Sequence, residues 1–114
     1  RVQQLLQHSK NLLDGARSFA PQFAARARES SDDERKLNLE YERQCNDASR
    51  ELAECQTELN GLLLKCEEGP DEVQTECDRH TTTLQRWQPL LVAKHNVITG
   101  KEQPEVSGDG IPWA

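Results

Sequence analysis

The sequence predicts an all-α protein: a disulfide-stapled antiparallel helical hairpin with an extra N-terminal helix and an extended C-terminal tail. Three observations carry this. Apolar residues recur at gaps of three and four through most of the chain, the period of a helix with one buried face. Four cysteines, Cys45, Cys55, Cys66 and Cys77, are separated by nine, ten and ten residues. The only Asn-Gly, Asn60-Gly61, lies at their centre. If the chain turns back there, Cys45 meets Cys77 and Cys55 meets Cys66 in two nested pairs. With 34% hydrophobic and 4% aromatic residues in 114, the core is small and gains most from covalent staples or a partner. Disulfides in turn imply an oxidising compartment.

Residues 1–30 form the first unit. Val2, Leu5, Leu6, Leu12, Leu13, Ala16, Phe19, Phe23 and Ala27 give an amphipathic helix. Pro21 should kink or split it. The segment is rich in Arg and nearly free of acids, as organellar transit segments are. A helix that packs on an acidic partner has the same composition, and that reading is preferred.

Residues 31–95 form the hairpin unit. Ser31-Asp32-Asp33-Glu34 has the form of a capping box, with Ser31 as N-cap. Tyr41, Cys45, Ala48, Leu52, Cys55 and Leu59 then follow gaps of 4, 3, 4, 3 and 4, one stripe on a helix packed at a shallow angle. After Asn60-Gly61 the stripe resumes through Cys66, Val73, Cys77, Leu84, Trp87 and Leu91. Gly69-Pro70 interrupts it, so a short turn over 63–68 and a helix from about Pro70 to Lys94 are expected, with Pro70 in the first helical position. Pro89 should kink or end that helix. Residues 96–114 lack helical period and read as an extended tail ending in Ile111-Pro112-Trp113-Ala114.

Several function classes are excluded by composition and motif. The net charge is −6, and residues 29–79 carry sixteen acids against six bases; a phosphate-binding surface needs a dense basic patch, so nucleic acid is not expected. The longest apolar runs, Leu62–Leu64 and Leu90–Ala93, are far too short to span a membrane. Zinc sites need close cysteine pairs, and Cys77-x2-His80 is a lone half-site. There is no C-x-x-C for thiol exchange. His8, His80 and His95 are the only histidines and read as solvated, and no Gly-rich phosphate loop, H-E-x-x-H or G-x-S-x-G occurs. No catalytic residue, metal ligand, cofactor or small-molecule substrate is therefore expected. Trp87 and Trp113 are the candidate partner-binding residues, because aromatic side chains anchor interfaces.

The cysteine pattern between Tyr41 and Cys77 resembles the coiled-coil-helix-coiled-coil-helix family, whose members carry twin C-x9-C or related motifs. Cys45-x9-Cys55 fits the family motif, and Cys66-x10-Cys77 is a variant of it. Tyr41, four residues before Cys45, resembles the family's import signal, in which an aromatic group docks on the oxidoreductase of the mitochondrial intermembrane space. Gly69-Pro70 inside the second motif departs from the pattern, and the flanks match no family. The resemblance implies a non-catalytic accessory subunit of a respiratory-chain complex, complex I foremost. It would sit peripherally on the inner membrane in the intermembrane space, with other protein subunits as partners. An assembly factor of the same family is an alternative. So is a cell-surface tether: if Asn60-Gly61 does not turn, residues 32–68 can form one long helix whose cysteines cross-link two parallel chains.

Overall fold

The computed structural model describes residues 2–64, 70–100 and 111–113. Three long helices account for nearly all of them: α1 (Val2–Glu29), α2 (Asp32–Leu64) and α3 (Pro70–Thr99). No strand occurs among the described residues.

The helices form an up-down-up bundle measuring 55 × 26 × 16 Å. α1 and α2 are antiparallel: Arg35 reaches back to the Ala27 carbonyl at 3.1 Å, and Phe23 and Tyr41 meet ring edge to face at 5.2 Å. α2 and α3 are antiparallel as well, with Glu58 against Arg79, Glu51 against Arg86, and Tyr41 under Lys94. α1 and α3 run parallel, joined by His8 with Gln88 at one end and by Arg26 with the carbonyls of Val97 and Ile98 at the other.

Each helix end has a local cause. The Ser31 carbonyl accepts the Arg35 N–H at 2.7 Å, which starts α2 as the sequence predicts. Asp32, Asp33 and Glu34 then sit where the positive end of the helix dipole favours acids. Arg26 and Arg28 occupy the negative end of α1. The last carbonyls of a helix lack intrahelical donors. Arg35 supplies one for α1 and Arg26 supplies two for α3, at 3.4 and 3.1 Å. α3 stops at Gly100, whose φ of 73° is left-handed and suits a residue without Cβ.

Four expectations are corrected. Asn60-Gly61 does not turn: both lie inside α2, which runs on to Leu64, and the antiparallel α3 begins at Pro70. Gly61 has no positive φ, and a Cβ there would meet nothing within 4 Å, so it is an ordinary helical position. Pro21 does not split α1, and Pro89 does not end α3, which runs on to Thr99. Both prolines are exposed, as are Arg17 and Gln85 four residues earlier, so water can hydrogen-bond the carbonyls that lose their donors. Finally, α1 is not an arm reserved for a partner. Leu12, Leu13, Ala16, Phe19, Ala20, Phe23 and Ala27 are all buried within this chain, against the α2 stripe Cys45, Ala48, Leu52, Cys55 and Leu59.

Candidate functional site

The strongest chemical constellation lies between α2 and α3. Cys55 comes from the buried stripe of α2. His80 comes from α3, one turn beyond Cys77 and on the same face. The two are 3% and 2% exposed, and Cys55 Sγ lies 3.3 Å from His80 Nδ1. The other ring nitrogen, Nε2, faces a charged rim. Glu58 Oε2 is 3.4 Å away and Glu76 Oε2 4.0 Å, and Arg79 binds both carboxylates at 2.9 and 2.7 Å. Nε2 makes no hydrogen bond among the described residues.

A cysteine beside a histidine is the arrangement of a thiol nucleophile and its base. Here the electrostatics run the other way. Burial pushes the Cys55 thiol up to about 11, with Glu58 adding to the rise and Arg79 opposing it. Burial, and then Arg79, hold His80 below its ordinary value against the pull of Glu58 and Glu76. Both groups are therefore neutral near pH 7. Cys55 Sγ and His80 Nδ1 share one hydrogen bond, whose donor is set by the tautomer of the neutral ring. A neutral, covered thiol is a poor nucleophile. The pair is a hydrogen-bonded polar contact inside an apolar seam.

Cys45 lies further along the same seam. Burial raises its thiol to about 11, opposed by Lys94. Lys94 is itself held below its ordinary value by burial, with Cys45 and Glu40 opposing, and its ammonium sits 4.2 Å over the Tyr41 ring. Tyr41, the expected docking aromatic, is thus half-buried between Phe23 and Lys94 of its own chain.

The nested cysteine pairing does not fit this register. Facing residues of α2 and α3 have numbers that add to between 135 and 137. Cys45 is therefore level with about residue 91, fourteen positions from Cys77. At about 1.5 Å per residue that is about 21 Å along the axis, whereas bridged Cα atoms lie within about 7 Å. Cys45, Cys55 and Cys77 are free, buried thiols. The expected partner of Cys55, Cys66, lies outside the described residues. Among those residues no group of three or more His, Cys, Asp or Glu is placed to hold a metal ion.

Of the two tryptophans, Trp87 is half-buried at the α2–α3 seam, donating to Glu51 beneath the Arg86 guanidinium at 5.2 Å. Trp113, expected to anchor on another subunit, lies on its own chain. Its indole N–H donates to the Asn11 carbonyl at 2.9 Å, and its ring packs against Phe19 and His95. His80, read from the sequence as solvated, is instead buried against Cys55, and Gly15, which lies under the Trp113 ring, was not singled out at all. His80 had a signal, since Val73, Cys77, His80 and Leu84 keep gaps of 4, 3 and 4. Gly15 had none, because its meaning depends on a residue almost a hundred positions away.

No helix is long and apolar enough to cross a membrane among the described residues. No family model, no curated protein and no solved structure matches this chain.

Proposed function

We propose that this chain is a non-catalytic structural module, a rigid helical bundle that docks on other proteins. One observation carries the reading. The Cys55–His80 pair is neutral and under 5% exposed, sealed by Glu58, Glu76 and Arg79. What the molecule offers to its surroundings is helix surface. Leu37, Leu39, Leu64 and Val97 are the large apolar side chains left exposed on it, at 51%, 47%, 88% and 41%.

The setting is a second proposal. An accessory subunit on the intermembrane-space face of a respiratory complex is favoured by the even spacing of the four cysteines. That spacing alone supports it, and the alternative is a reduced bundle that carries four thiols. Disulfide mapping by mass spectrometry on the unreduced native protein separates the two. Four free thiols establish the reduced bundle and remove the intermembrane-space setting. Intrachain links Cys45–Cys77 and Cys55–Cys66 would establish the stapled hairpin and make that setting the working model, and they require α2 and α3 to shift by several turns. Interchain links would make the chain a parallel tether.

The non-catalytic reading is tested at Cys55. Modification by a thiol-specific reagent should be slow in the native protein and fast in denaturant. Stoichiometric labelling of Cys55 within minutes at pH 7, with the helices intact, would sink it.

A further inference from the structure

Trp113 does not merely lie on α1; α1 is shaped for it. A Cβ placed on Gly15 would stand 2.5 Å from Cε2, 2.6 Å from Cζ2 and 2.7 Å from Nε1 of the indole. Real Cβ atoms do not come that close, so the ring is seated directly on bare helix backbone. The other walls are equally specific. The Asn11 carbonyl receives the indole N–H at 2.9 Å. Phe19 meets the indole edge to face, with ring centres 5.1 Å apart and planes at 83°, and the His95 ring of α3 lies 5.5 Å from it. Two residues earlier, Ile111 is fully buried in the core cluster. Slot and segment therefore meet through a flat aromatic seat, one polar acceptor and one aliphatic socket. That combination reads a tryptophan two residues after an aliphatic side chain, and it rejects a phenyl ring, which brings no donor to Asn11.

We propose that the trough over Gly15 is a peptide-binding site selective for short segments of the Ile-Pro-Trp type, with residues 111–113 of this chain as its resident, exchangeable ligand. Ten residues separate Gly100 from Ile111. Covalent attachment makes the resident segment an intramolecular competitor for its own slot. The site is then closed to weak competitors and open to a partner strand that carries the same residues at higher affinity or valency. This goes beyond the structural reading above and does not depend on it.

The test uses the full chain carrying Trp113→Ala, which empties the aromatic seat without shortening the protein. The probe is a synthetic peptide with the sequence of residues 108–114, blocked at both ends and titrated calorimetrically. The Trp113→Ala chain should bind it, and the unsubstituted chain should bind it at least tenfold more weakly because its own tail competes. A Phe-for-Trp peptide should bind at least fivefold more weakly than the parent. Adding Gly15→Ala to the Trp113→Ala chain should abolish binding, whereas adding Gly61→Ala, where a Cβ meets nothing, should leave it unchanged. Should Trp113→Ala lose helix content, the peptide should restore it in trans. No uptake by the Trp113→Ala chain, no restoration of a destabilised one, or equal uptake with and without Gly15→Ala would each overturn the proposal.

Discussion

Single side chains in this protein set a pH window. His80 is held below its ordinary value of 6.5, so as pH falls the unfolded chain takes up that proton first and stability is lost below about 6.5. Cys45 and Cys55 are raised from 9.0 to about 11. As pH rises the unfolded chain releases those protons first, and stability is lost from about 9 upward. Glu51, held low by Trp87 and Arg86 against its own desolvation, adds a further loss below about 4.5. The urea midpoint should therefore be flat between about 6.5 and 9 and fall on both sides. A midpoint that does not change from pH 5 to pH 11 would contradict the burial of all three groups. Gly61 gives a second prediction. It sits in the interior of α2 with open space around it, so Gly61→Ala should stabilise the protein by about 1 kcal/mol, read from chemical denaturation.

At the scale of elements, the sequence was most legible where one rule acted alone. The stripe Tyr41, Cys45, Ala48, Leu52, Cys55 and Leu59 became the inward face of α2 without exception beyond the half-buried tyrosine. Ser31 and Pro70 marked helix starts because caps and fixed φ act locally. Asn60-Gly61 misled for a physical reason. A tight turn needs positive φ, which glycine permits and does not impose, and the buried seam from Cys45 to Leu59 favours continuing the helix. The cysteine symmetry drew its force from that turn, and in the register of α2 and α3 Cys45 does not face Cys77. The partner of α1 was misread: its apolar face was visible, but nothing in the sequence says whether such a face meets its own chain or another. Pro21 is the element-scale test. Its place on the exposed side lets the helix run through at a cost, so Pro21→Ala should raise stability by about 1–3 kcal/mol in the same assay, below or near the full penalty for proline in a helix interior. A loss of stability would mean that the ring makes a packing contact the exposure does not suggest.

The whole molecule is held by one seam of apolar side chains, closed at its ends by groups borrowed between helices. Arg26 and Arg35 satisfy carbonyls of a neighbour rather than of their own turn. The pairs Glu58–Arg79 and Glu51–Arg86 line the rim. Exposed pairs of this kind contribute about 0–1 kcal/mol each and weaken in salt, so the seam has to carry the fold. Leu52→Ala, at a fully buried point facing α1, should cost about 2–5 kcal/mol. Raising salt from low to high concentration should shift the unfolding midpoint much less than that substitution does.

An odd number of long antiparallel elements has a mechanical meaning. α1 begins and α3 ends at opposite ends of a body 55 Å long. A load applied between those points pulls along the helix axes. The interfaces then slide past one another as a set and do not peel open one turn at a time. A bundle of two or four such helices, with both attachment points at one end, would unzip at low force. Held at Val2 and Thr99, this one should yield in a single high-force event, as a strut does and a hinge does not.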